Sequence, residues 1–122
     1  MYINQEKFEE IVTDALDSLP EKFSKKINNL AIFAEDRPTK EQLKKLKLRN
    51  NFVLYGLFEG YAQARKLNFG PVLPDKITIF RLPICQTAKN EEEIKEQIIS
   101  TVKHEIAHHF GLDEAGARKA SR

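Results

Sequence analysis

The chain has 122 residues, 41% of them apolar, enough to bury one core without disulfide or metal staples. Lys and Arg number 20 against 18 Asp and Glu, and a net charge of +2 with mixed signs gives no electrostatic reason for an obligatory nucleic-acid or anionic-membrane partner. Cys85 is alone, no run approaches membrane-spanning length, and Met1 to Lys7 lacks the basic start and apolar block of a signal peptide, so a cytoplasmic protein is expected.

From Gln5 to Leu19, Phe8, Ile11, Val12, Ala15, Leu16 and Leu19 recur at intervals of three and four, which predicts an amphipathic helix ended by Pro20. Glu21 to Ile27 adds a short helical turn. Leu30 to Ala34 is a compact apolar run suited to a strand buried on both faces. Thr39-Lys40-Glu41-Gln42 has capping-box spacing and opens a short helix with Leu43, Leu46 and Leu48 on its apolar edge. The lysines at 40, 44, 45 and 47 read as a solvated face, since no aromatic residues are interleaved to stack on bases.

Asn51 to Tyr61 is β-branched and aromatic, with Gly56 and Gly60 inside it. Glycine in a strand marks a bulge or a close approach of another backbone, which suits an edge strand able to accept an extended peptide. An ordinary hairpin strand turning at Gly60 is the alternative. Arg65 to Pro74 reads as a loop, and Asp75 to Leu82 as a half-buried strand closed by Pro83, with Cys85 a small packed residue after it. Neither repeats nor low-complexity tracts occur, so a single α+β unit is the natural reading.

Asn90-Glu91-Glu92-Glu93 is a second capping box, with acidic residues placed to favour the helix dipole, and the helix it opens should run to about Phe110. At 100° per residue, Ile99, Val102, Ile106 and Phe110 share a core-facing sector. His104 and His108 fall roughly opposite, beside Gln97, Ser100 and Thr101. These two histidines belong to an H-E-x-x-H sequence, and a pair at i and i+4 can bring ring nitrogens to one tetrahedral Zn2+. Glu105 is rotated beside such a metal and stands where a general base for a metal-bound water is wanted. His109 points to the flank of the apolar sector, as a packed or supporting residue would.

A catalytic zinc needs a third protein ligand and an open fourth position. Only eight residues follow Glu114, too few for a second long helix to deliver a distant glutamate. Gly111 permits a left-handed turn that sends the chain back past the histidines. Counting as in H-E-x-x-H-x-x-G-x-x-H, the third-ligand slot falls on Glu114, with Asp113 one residue short of it. The methionine turn that accompanies that longer pattern is absent, Met1 being the one methionine.

The segments Leu54 to Gly60, Leu73 to Phe80 and His104 to Glu114 together resemble the small bacterial zincin-like proteins called minimal metalloproteases. The resemblance implies one zincin-like α+β domain over residues 1–122, a small mixed sheet packed on helices that include the motif helix. It also implies His104 and His108 as zinc ligands, Glu105 as catalytic base, and an acidic third ligand past the glycine, commonly aspartate. Glu114 and Asp113 therefore both stay open. The expected activity is zinc-dependent hydrolysis of a peptide or protein substrate. A partner or second subunit that completes the cleft is also expected, because so short a chain has little material for a lower cleft wall.

Two other readings use the same residues. Metal-dependent RNA endonucleases of bacterial ribosome maturation carry H-x-x-x-H-x-x-G-x-D-H, and His104, His108, Gly111 and Asp113 fit four of its places. Glu114 stands where its last histidine belongs, and Glu105 has no task in it. The third reading is a non-catalytic metal-binding or interaction domain that keeps the zincin shape.

Overall fold

The structure is a computed structural model that describes residues 1–46, 53–60 and 74–111. In chain order the elements are α1 (Gln5–Asp17), α2 (Glu21–Ile27), β1 (Leu30–Glu35), α3 (Lys40–Lys45), β2 (Gly56–Glu59), β3 (Asp75–Phe80), α4 (Arg81–Thr87) and α5 (Glu91–His109). Among the described residues the strands form one sheet in the order β1-β3-β2, with β1 parallel and β2 antiparallel to β3. The architecture is α+β, with a small mixed sheet packed on helices, as the sequence predicts.

Local chemistry explains the helix starts. Asn4 Oδ1 accepts from the Lys7 N–H at 2.8 Å, and Thr39 and Gln42 exchange both bonds of a capping box. Asn90 accepts from the Glu93 N–H at 2.9 Å, but Glu93 reaches past the expected partner to the Lys89 N–H, also at 2.9 Å. Three glutamates in its first turn complement the dipole of α5. On α3, Lys40, Lys44 and Lys45 are exposed, in keeping with a solvated face, whereas Leu48 and Lys47 lie outside the described residues.

The core lies between the sheet and the pair α1 and α5. Phe8, Ile77, Ile79, Ile94, Ile98 and Ile106 are fully buried there. The wheel expectation for α5 holds at Val102 and Ile106, but Ile94 and Ile98 also belong to the buried stripe, and Ile99 and Phe110 are half-buried flank residues. Burying about 25 cal/mol of stabilisation per Å² makes such a stripe the main force seating α5.

Two expectations are corrected. The run from Leu30 to Ala34 is not buried on both faces: β1 pairs only with β3 among the described residues, and Phe33 is 48% exposed. Nor does Pro83 simply close a strand reaching Leu82. The strand stops at Phe80 and α4 begins, with Pro83 in its first turn, where a missing N–H breaks no helical bond. Cys85 on this helix is a packed core residue, as expected. The buried Arg81 at the junction donates to Asp36 Oδ1 from Nε and Nη2, at 3.1 and 2.9 Å, and to the Ile3 carbonyl at 2.6 Å, tying the chain's start to the exit of β1.

Gly56 is where β2 meets α5. A Cβ there would lie 2.5 Å from Thr101 Cγ2 and 3.2 Å from the Thr78 carbonyl oxygen, so the close approach needs a residue without a side chain. The glycine predicted to mark a close approach does so, its nearest neighbour being a helix side chain and its next the backbone of β3 at Thr78. Gly56→Ala should therefore lower unfolding stability by about 1–3 kcal/mol, read as a reduced urea midpoint. Adding Thr101→Ser, which removes the opposing methyl, should recover part of the loss; an unchanged midpoint for Gly56→Ala would show that the contact is not tight.

Candidate active site

The last two turns of α5 carry the motif. His104 and His108 project together on its exposed side, with ring centroids 4.4 Å apart and planes at 67°. Four residues later than the first is one turn, about 6 Å along the axis, so the rings meet edge to face in the direction expected of an i, i+4 pair. The helix ends at Phe110, whose N–H bonds to the Ile106 carbonyl at 2.9 Å, and Gly111 takes a φ of 70°. That is the left-handed turn anticipated for this glycine. Asp113 and Glu114, the expected third ligands, lie outside the described residues.

Glu105 occupies a different environment from its neighbours. Its side chain is 18% exposed, against 44% for His109. It lies against β2, where the Phe58 main-chain N–H donates to its carboxylate. The ladder explains why that group is free: Tyr55 accepts from the Phe80 N–H at 2.9 Å, so by alternation the main-chain groups of Gly56 and Phe58 point away from β3. Burial pushes the Glu105 carboxyl above its ordinary value, and the Phe58 N–H and nearby His108 oppose that shift. His109 is shifted down, chiefly by burial and then by His108.

A groove of about 380 Å³ opens beside His104 and Glu105. One wall is the stretch from Val53 to Gly56 and the other is Gln97, Ser100 and Thr101 of α5. The polar residues expected beside the histidines lie there: Gln97 donates to Thr101 Oγ1 at 3.1 Å, and Ser100 lines the groove with it. Thr101 is more buried than its helical position suggests because Gly56 rests on it. A second hollow of about 360 Å³ shares Tyr55, Gln97 and Ser100 with the first and leads on to Glu93 and Glu96.

Two imidazoles on one exposed face are suitable nitrogen donors for zinc. Among the described residues no group of three or more His, Cys, Asp or Glu could hold a metal; His104 and His108 stand together there as a pair. Phe58 is the residue that sequence reasoning left out of the site. Its ring stacks on His109 with centroids 4.3 Å apart and planes at 17°. The alternation of β2 could have assigned Phe58 to the helix-facing side, but nothing local to it points to His109.

The sequence profile of the zincin-like metallopeptidase family matches residues 27–120, and the chain belongs to that family. Zincin-like metallopeptidases are zinc-dependent. A comparison with curated proteins gives no match. Among the described residues, no helix is long and apolar enough to cross a membrane.

The setting of Glu105 makes a prediction about stability. Because its folded-state carboxyl is raised, the ionised form weakens the fold at pH values above that raised value, and the penalty disappears below the ordinary value of 4.5. Glu105→Gln in chelator-treated protein should therefore have a melting temperature equal to or above wild type at pH 7.5, with any gain shrinking as the pH falls toward 4.5. A lower melting temperature at pH 7.5 would mean that the carboxylate's contacts outweigh its desolvation.

Proposed function

We propose that this chain hydrolyses peptide bonds, with His104 and His108 as zinc ligands, Glu114 or the neighbouring Asp113 as the third, and Glu105 as general base. The observation that carries the reading is the difference between these side chains. The histidines stand exposed as a pair, while the carboxylate beside them is half-buried and held by a main-chain N–H at the mouth of a groove. When bound, zinc supplies Lewis acidity that lowers the pKa of water and polarises the scissile carbonyl. Glu105 takes a proton from the attacking water and gives it to the amine nitrogen as the C–N bond breaks.

An extended peptide suits the groove. The main-chain groups of Gly56 point outward from the sheet, next to His104 and Glu105, and a peptide laid there gains strand hydrogen bonds without needing a particular side chain. The placement of Glu105 also favours this reading over an RNA endonuclease, which gives the half-buried carboxylate no role. Zinc added to metal-free protein should bind in a 1:1 ratio, and His104→Ala should abolish that binding, as measured by elemental analysis. Glu105→Gln should keep the zinc and reduce cleavage of a fluorogenic casein by about 100-fold or more. Full activity in zinc-loaded Glu105→Gln would exclude this mechanism; cleavage of single-stranded RNA without any peptide cleavage would favour the endonuclease.

A further inference from the structure

Glu105 has a second set of contacts that the hydrolytic reading does not use. His109 Nε2 lies 3.4 Å from Glu105 Oε2, and the same imidazole is stacked on Phe58. The Phe58 ring in turn meets Phe110 edge-on, with centroids 5.7 Å apart. One strand residue thus touches the carboxylate directly, through its main chain, and seats the ring that touches it a second time. The helix carries two interleaved pairs of the same spacing, 104 with 108 and 105 with 109, turned from each other by about 100°. The first pair opens to solvent and the second is folded against β2.

We infer that His109 is a positioning residue: seated on Phe58, it directs Nε2 at Glu105 and holds the carboxylate in one orientation, and it does not join the metal ligands. The inference rests on the hydrolytic reading. A glutamate side chain has three rotatable torsions, and proton transfer needs its oxygen within hydrogen-bond reach of the attacking water. Contact with the Phe58 N–H alone leaves the carboxylate able to pivot about that bond. A second contact from a ring that is itself packed removes this freedom. Turning His109 toward the face of His104 and His108 would break its stack on Phe58.

Two substitutions separate the ring from its nitrogen. His109→Phe keeps an aromatic surface for Phe58 and removes the donor, whereas His109→Gln places an amide nitrogen near the position of Nε2. With zinc bound, His109→Phe should lower kcat on fluorogenic casein by about 10–100-fold, the range for residues that support a metal site's reacting groups, with KM and zinc stoichiometry unchanged. His109→Gln should recover a substantial part of kcat. Loss of zinc from His109→Phe would make His109 a ligand, and an undiminished kcat would leave it no positioning role; either result overturns the inference.

A measurement without metal or substrate tests the contact itself. In chelator-treated protein, the change in melting temperature caused by Glu105→Gln should be more positive in the His109→Phe background than in wild type, because Glu105 has there lost a favourable neighbour. Additive shifts would overturn the contact. If wild-type protein cleaves no peptide but this coupling is present, the hydrolytic reading fails and the catalytic role of His109 with it, while the contact stands; cleavage with additive shifts removes the inference alone.

Discussion

The approach of α5 to β2 at Gly56 and Thr101 sets the geometry of everything beyond it. From that contact the strand advances by about 6.7 Å in two residues, which brings Phe58 to the same face of the sheet. The helix advances by about 6 Å in one turn, which brings Glu105 opposite. A further turn brings His109 beneath the Phe58 ring. Because the two periods nearly match, one contact without a side chain aligns a pair of productive ones. A methyl group at residue 56 would act on the position of Glu105 as well as on packing.

Burial then divides the labour among residues that are adjacent in sequence. His104 and His108 are turned outward, where imidazole nitrogens can meet a metal with little desolvation. Glu105, one step round the helix, is placed in partial shelter where its carboxyl is pushed upward but retains hydrogen-bonding partners. A carboxyl raised in this way gives up a proton less readily than an exposed one and accepts one more readily, which suits a group that must take and release a proton in one cycle. His109, more exposed but stacked on Phe58, lies on the same side, on the flank of the core stripe formed by Ile94, Ile98, Val102 and Ile106.

Those parts of the fold that depend on local chemistry were readable from sequence. Thr39 and Asn90 announce their helices because an N-cap acts within three residues, and the periodicity of α1 reports a stripe buried against one neighbour. The motif's spacing put His104 and His108 on one face and Glu105 beside it for the same reason. Less legible were features set by distant partners. An apolar run such as Leu30 to Ala34 has one composition whether it lies in the middle or at the border of a sheet, and Phe33 reveals the border only through its exposure. Pro83 reads as a stop until Arg81, anchored to Asp36 and Ile3, starts a helix in which proline is tolerated. Phe58 is the same kind of case, since its role depends on where β2 is laid against α5.

The central claim is that His104 and His108 form the metal face while His109 belongs to the base. X-ray absorption spectroscopy of the zinc-loaded protein tests it most directly. Two imidazole ligands with oxygen completing the sphere are expected, at about 2.0–2.1 Å. Three imidazoles would draw His109 away from Phe58, and sulfur scattering at about 2.3 Å would place the metal at Cys85; either result would contradict the account.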